Sequence, residues 1–384
     1  LGLTTQTELV VTRLAWAVGW LVPGLVIVDI PPDTLLLSPK AYAKDKYGEK
    51  QPFSHEQLAK LVAKIPRRPD GSIRLLVSRW LEGVNIGEFA YKGRRHDDPN
   101  DVIDHEQRRV LRAFGVFCSW VNDVDTLQNN TLDMYQGKPG EGHIVHYEQD
   151  VGGSFGNFAG VPEAYWSGTE TFFDAGLVVR SLLTLGFWPR VWDDAEYRAR
   201  KDALRDAWPE IGNFSAERFV PRKWEPAIEN AAFVRMTERD RYWGAKRIVA
   251  IDGDELRAAI GAGKYRPGAG EHLFDILWKR RALIARDFFS RVAALDHFAL
   301  DKAGRSLCFD DLWIEAGLGG ENATAYESDP DVVVSGRCAT LPAGAGYRIV
   351  SLAARRPGER HAGARVRVHL IQEAGKSRII GVER

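Results

Sequence analysis

Three side chains at two spacings could do chemistry together. Asp125 and Asn130 stand five residues apart in Trp120-Val-Asn-Asp-Val-Asp-Thr-Leu-Gln-Asn-Asn-Thr-Leu-Asp133. Asp150 comes twenty residues after Asn130 and opens Asp150-Val-Gly152. The chemistry that suits such a set is phosphoryl transfer. That reaction asks for a carboxylate facing an acceptor hydroxyl and for divalent ions across the phosphates, with little covalent help. Asp125 would orient the hydroxyl and accept its proton late. Asn130 would bring an amide oxygen back to a metal, and Asp150 would hold the principal Mg2+. Magnesium takes oxygen ligands and keeps several waters, so one carboxylate, one amide and the phosphates of ATP make a reasonable site. Gly152 lets the chain turn away directly after the metal ligand.

These residues need a scaffold, and the pattern supplies one. A helix is expected over His105 to Val121, capped by Asp104, with an apolar stripe of Val110, Leu111, Phe114, Phe117, Cys118 and Val121. Thr131 to Tyr135 and Ile144 to Glu148 are short enough to form one hairpin, which places Asp150 just past a strand end. Upstream, a helix is predicted over Thr5 to Trp20, with Leu9, Arg13, Trp16 and Trp20 at helical spacing. Strands are predicted over Leu25–Ile30, Ile73–Leu81 and, as a short piece, Leu35–Leu37. Ala41 to Phe53 reads as a charged surface loop, and Ser54 to Ile65 as a capped helix carrying Leu58, Leu61, Val62 and Ile65. Downstream, helices are predicted near Ala195–Ala207 and over Tyr242–Val249, Gly253–Ala262 and Gly270–Ala294. Strands follow over Tyr347–Ala353, Arg365–Ile371 and Arg378–Val382.

A helix, an Asp-x-x-x-x-Asn loop, a hairpin and then Asp-x-Gly is the order found in kinase catalytic lobes. Either motif alone is common in structural turns; their order and context carry the reading. Asp123 competes with Asp125 for the catalytic role, and the spacing to Asn130 favours Asp125. Asp133 reads as a cap or ornament of the hairpin. Glu106 and Arg109 can pair on one helix face. Arg94 and Arg95 read equally as a solvated pair or as an anion contact. His143 and His146, three apart on a strand, point to opposite faces and are set aside as a metal pair. Tyr242 and Trp243 are expected in the core, with Lys246 and Arg247 at the surface.

The stretches Gly93–Asp101, His105–Arg109, Phe117–Asn122, Asp125–Asp133 and Asp150-Val-Gly, with Thr7–Pro23 and Tyr242–Tyr265, resemble a bacterial protein family that usually carries export signals. The resemblance covers most of the chain. The catalytic region is in turn similar, at motif size, to atypical kinases. By that resemblance Glu8 is similar to the kinase helix glutamate that pairs with an ATP-contacting lysine. Relatives carry that lysine on a strand just upstream. This chain opens at Leu1, so the lysine strand and a glycine-rich phosphate loop are expected to precede it. A periplasmic or secreted location follows from the resemblance alone.

The expected architecture is α+β. It is a protein-kinase-like two-lobed fold with an incomplete N-terminal lobe over 1–91 (an insertion at about 38–70), a helical catalytic lobe over 92–299, and a β-rich module over 300–384. The chain has 384 residues, enough for two lobes and a small addition. Lys plus Arg equals Asp plus Glu at 52 each, so net charge gives no support to nucleic-acid binding. No stretch has the uninterrupted apolar length of a membrane span. The 3 cysteines are too few and too far apart for a disulfide framework, and Cys118 reads as core. The 12 tryptophans do not make a glycosidase, since carboxylate pairs at unspecified spacing are common. The expected function is ATP- and Mg2+-dependent phosphotransfer to a hydroxyl of unknown identity. The alternatives are nucleotidyl transfer (adenylylation) on the same fold and a pseudokinase-like binding module.

Overall fold

The computed structural model describes residues 3–357, 364–373 and 376–384. The chain mixes helix and sheet, an α+β protein. It opens with helix α1 (Leu3–Ala17), strand β1 (Leu25–Ile30), a small hairpin of β2 (Tyr42–Lys44) and β3 (Lys50–Pro52), helix α2 (His55–Ala63), and strands β4 (Ile73–Ser78) and β5 (Val84–Gly87). Strands β1 and β4 pair antiparallel, with Leu25 opposite Ser78 and Ile30 opposite Ile73.

Helix α3 (Arg109–Val121) leads through a loop to β6 (Thr131–Gln136) and β7 (His143–Glu148), which form the expected hairpin; β5 joins it on the far side of β6. Two-residue strands β8 (Asn157–Phe158) and β9 (Val161–Pro162) follow, then helices α4 (Ala175–Leu183), α5 (Ala195–Ala207), α6 (Ala231–Val234), α7 (Glu238–Val249), α8 (Gly253–Ala262) and α9 (Ala269–Phe289). The rest is largely strand: β10 (Leu295–Leu300), β11 (Ser306–Asp311), short helix α10 (Leu312–Glu315), β12 (Ala325–Glu327), β13 (Val333–Ser335), β14 (Cys338–Thr340), β15 (Gly346–Arg355), β16 (Arg365–Glu373) and β17 (Lys376–Glu383). These strands make two four-stranded sheets, ordered β10-β11-β14-β13 and β12-β15-β16-β17. None of the described helices is long and apolar enough to cross a membrane.

One core joins α1, α3, α7, α8 and α9. It includes Val10, Leu14, Phe114, Phe117, Trp120, Ile248, Leu256, Leu277 and Phe288, and it reaches Val151 and Phe155 just past Asp150. Trp120 is fully buried and donates its indole N–H to the Leu277 carbonyl at 2.9 Å. Arg280 donates from α9 to the carbonyls of Trp120 (2.9 Å), Ser119 and Ser215 (2.8 Å). A cation thus satisfies the orphan carbonyls at the C-terminal end of α3, where the helix dipole favours it. At the N-terminus, Gln6 donates to the carbonyls of Gly263 (2.9 Å) and Lys264 (3.1 Å), which seats α1 on the end of α8.

A second core fills the β module, with Leu295, Leu307, Phe309, Val350, Leu352, Val366, Val368 and Leu370. Asp311 is fully buried there and pairs with Arg356 at 2.9 and 3.1 Å.

Several expectations change. The Leu35–Leu37 strand is absent; a 3-10 turn at Pro32–Thr34 leads into open chain. The charged loop 41–53 holds the β2–β3 hairpin. Of the positions predicted for the first helix, Leu9 and Trp20 are buried while Arg13 and Trp16 are exposed, and the face of α1 that enters the core adds Val10, Val11, Leu14 and Ala15. Helix α2 buries no side chain. Asp104 makes no side-chain cap: it precedes a 3-10 turn at His105–Gln107 and pairs with Arg94 at 3.1 Å. Glu106 does not pair with Arg109; it accepts the Gly93 amide at 2.6 Å, and Arg109 faces Asp240 at 3.5 Å. Lys246 pairs with the buried Asp296 at 2.8 Å, and Arg247 donates to the Val18 carbonyl at 2.7 Å, so neither is a plain surface cation. Cys308 and Cys338 are opposed on β11 and β14 and form a disulfide, because sheet pairing joins what 30 residues of chain separate. Cys118 is free and buried.

Candidate functional site

Helix α3 ends on Asn122, which adopts the left-handed conformation at φ 59°. That reversal sends the chain into the loop 123–130, and the Asp123 amide closes back on the Cys118 carbonyl at 2.9 Å. The loop is tied down on several sides. Val124 donates to the Gly153 carbonyl at 3.4 Å, and Ala227 donates to the Val124 carbonyl at 2.9 Å. Asn230 donates to the Thr126 carbonyl at 3.2 Å. The Asn130 amide nitrogen reaches back to the Asp125 carbonyl at 2.6 Å, so the five-residue spacing closes a compact turn. The Asn130 side-chain oxygen accepts from Asn129 at 3.1 Å.

The segment after β7 lies against this loop. Gln149 donates to the Asn130 carbonyl at 2.9 Å, and Phe155 donates to the Val121 carbonyl at 2.8 Å. Asp150 sits between these ties at φ 51°, a conformation uncommon for a residue with a Cβ. Strain of this kind gathers at functional sites. Gly153 brings the two segments close: a Cβ there would stand 3.3 Å from the Asp125 Cβ and 3.9 Å from the Asp123 Oδ1. A Cβ at Gly152 would stand 2.7 Å from the Glu8 Oε2 and 3.0 Å from the Thr4 Cγ2.

Helix α1 therefore delivers Glu8 to the Asp150-Val-Gly152 turn. The structure brings together all four residues singled out from the sequence: Glu8, Asp125, Asn130 and Asp150. It adds Asp123, which is buried beside them.

The electrostatics are those of crowded acids. Burial, and then the charge of Asp150, push Glu8 up to about 7; the amides of Val151 and Gly152 pull the other way. Desolvation of its carboxyl, and then the charge of Asp125, raise Asp150. Asp123 is raised well above the carboxylate range by burial first, then by Glu8, Asp125 and Glu148. Two buried oxygens here, Glu8 Oε2 and Asp123 Oδ1, have no hydrogen-bond partner. Clustered acids with orphaned oxygens fit a divalent cation, which would supply the missing charge. Asp125 stands close enough to Asp150 for its charge to be felt there, and the Asn130 amide nitrogen is anchored on the Asp125 carbonyl. No three of these carboxylates bring ligand atoms within 4.8 Å of one another, so a cation would have to draw them in.

Three further acids stand near the loop: Glu148 and Glu163, which the sequence does not single out, and Asp133, which reads there as an ornament of the hairpin. Glu148 is pushed up to about 8 by burial; it accepts from the Tyr91 hydroxyl at 2.6 Å. Glu163 is also pushed up to about 8 by burial, and its Oε2 accepts from Asn122 at 3.1 Å. Asp133 is no ornament of the hairpin. It is fully buried, pairs with Arg95 at 2.7 Å and contacts His146. Arg95 is accordingly a partly buried structural cation. On the β module, ligand atoms of His297, Asp310 and Glu315 lie within 4.8 Å of one another near the surface; His297 and Asp310 already contact each other at 3.0 Å.

No family model, curated protein or solved structure matches the chain.

Proposed function

We propose that this chain is an ATP- and Mg2+-dependent phosphotransferase of the two-lobed, kinase-like kind, acting on a hydroxyl acceptor. The observation that carries the reading is the convergence of Glu8, Asp125, Asn130 and Asp150 from α1, the loop after α3 and the turn after β7, with acidic oxygens left unsatisfied. A purely structural acid cluster would be expected to hold its oxygens in hydrogen bonds or ion pairs.

In this reading Asp125 orients the acceptor hydroxyl. The acceptor oxygen bonds to the γ-phosphorus, the bridging P–O bond to the β-phosphate breaks, and ADP leaves with that electron pair. The hydroxyl proton passes late to Asp125. Asp150 and Asn130 would hold Mg2+, which neutralises phosphate charge as it develops. Glu8 packs against the Asp150-Val-Gly152 turn, where its Oε2 would stand 2.7 Å from a Cβ at Gly152.

Adenylylation would use the same residues with the nucleotide reversed. A binding module without catalysis draws on a different observation: the influences on Glu8 are burial, Asp150 and two amides, with no cation among them. Calorimetric titration of ATP, with and without Mg2+, into the wild type and an Asp150→Ala variant tests the reading. The melting temperature of the variant is measured alongside, because Asp150 sits at φ 51°. Mg2+-dependent binding that the variant loses is the expected result. Absence of ATP binding by the folded protein, with its full N-terminal segment present, would overturn it.

A further inference from the structure

The segment 171–190 presents a run of exposed apolar side chains beside the loop that carries Asp125. Phe172, Phe173, Leu182, Leu183, Leu185 and Phe187 are each 68–87% exposed. Helix α4 buries no residue and carries one charge, Arg180. Apolar surface of this extent on a folded protein marks a binding face.

The surface is continuous with the site. Phe172 donates to the Ala227 carbonyl at 2.7 Å, and Ala227 donates to the Val124 carbonyl at 2.9 Å, one residue before Asp125. Two cavities open along it. The first, about 480 Å³, is walled mainly by Phe172, Phe173, Leu177, Val178, Leu182 and Leu185; its one cation, Arg190, is paired with Glu170 at 2.9 Å. The second, about 490 Å³, shares Thr171, Phe173 and Asp174 with the first, and its charged residues are Asp174, Glu225 and Glu229. No lysine or arginine lines it. Each volume is of the size that holds a small molecule. An apolar chamber joined to an acidic one complements a molecule with a hydrocarbon body and a cationic head.

We propose that segment 171–190 with residues 224–234 is the acceptor site, and that the acceptor is a single-chain cationic amphiphile bearing a hydroxyl. The chain lies against α4, the ammonium sits among Asp174, Glu225 and Glu229, and the adjoining hydroxyl is directed to Asp125. The identity of this site as an acceptor site rests on the phosphotransferase reading; its ability to take the amphiphile does not. Burial of Glu225, followed by the charges of Asp174 and Glu170, raises its carboxyl, which is the response of an acid lacking a nearby cation.

The test uses 2-amino-1-alkanols of increasing chain length, titrated below their micelle concentrations without nucleotide, with alkyl sulfates of equal length as controls. Each buried methylene should tighten binding by about fourfold until the chamber is filled. Leu182→Glu should abolish the chain-length dependence, and Glu229→Gln should weaken the amines alone. Both positions are exposed, so unchanged melting temperatures are expected. Equal binding of sulfates and amines, or no dependence on chain length, would overturn the proposal. So would a concentration-dependent dimer that Leu182→Glu dissolves, which would make a second copy the occupant. Phosphoryl transfer from ATP to the longest soluble alkanol is measured separately. Chain-length-dependent binding without transfer would defeat the phosphotransferase reading and leave the binding face standing.

Discussion

Glu148→Gln should change the pH dependence of stability in a way that can be worked out from its surroundings. The side chain is buried, accepts from Tyr91 through Oε2, and has no partner at Oε1. Its carboxyl is raised from 4.5 to about 8. A carboxyl raised on folding binds its proton more tightly in the native state than in the unfolded one. Its contribution is therefore intact below pH about 4.5 and is lost as pH rises through about 8. A rise of about 3.5 units at 1.36 kcal/mol per unit sets a ceiling of about 5 kcal/mol. About 4 kcal/mol of that falls between pH 5 and 9. Glutamine resembles the protonated acid in shape, keeps a carbonyl for Tyr91 and does not titrate. Urea denaturation at intervals from pH 5 to 9 should show nearly equal stabilities at pH 5. The variant should gain progressively on the wild type towards pH 9. Glu8 and Glu163 titrate in both proteins and drop out of the difference between the two curves, which reports Glu148 together with the relief of Asp123 from its charge. Parallel curves would refute the argument, because a carboxylate that ionises in place without cost cannot be desolvated.

Gly152→Ala should destabilise by about 1–3 kcal/mol and weaken Mg2+-dependent ATP binding, since its Cβ meets Glu8 and Thr4 at 2.7 and 3.0 Å; denaturation and calorimetry read the two effects. Trp120→Ala should cost about 3–5 kcal/mol, through a cavity beneath the loop that carries Asp125, visible as a lowered melting temperature. Cys308→Ser should cost about 3–4 kcal/mol by releasing a loop that spans 30 residues. The melting temperature of the wild type should fall on adding reductant, while that of the variant should not move.

The segments around the candidate site were legible because each carries its own local signal. Helix α3 has an apolar stripe, β6 and β7 alternate and are separated by Gly-rich chain, and the Asp125-to-Asn130 spacing is a property of one loop. Glu8 was reached by resemblance, and its neighbour Asp150 lies 142 positions away in the sequence. Features that depend on distant partners were not legible. Asp133 looks like a hairpin-end acid until Arg95 and His146 close on it. The pairing of Cys308 with Cys338 needed the register of β11 on β14. Helix α4 escaped for a different reason. Ala-Gly-Leu-Val-Val-Arg-Ser-Leu-Leu is only nine residues long, sits in an aromatic, mixed stretch and buries no side chain, so no core face set it apart. The charged hairpin β2–β3 likewise has no buried face to produce alternation.

The seating of α1 has a consequence for how the protein is made. Gln6 is held by the carbonyls of Gly263 and Lys264, and Val10 fits against Gly263, where a Cβ would stand 2.8 Å from its Cγ2. The helix that bears Glu8 leaves the ribosome before Asp125 and Asp150, yet its resting place is the end of α8, some 250 residues later. Asp125 and Asp150 can approach each other as soon as the hairpin between them has emerged, whereas Glu8 has to wait. The acid cluster is thus assembled in two instalments during synthesis, and a nascent chain stopped before α8 would carry the loop and the turn without their brace.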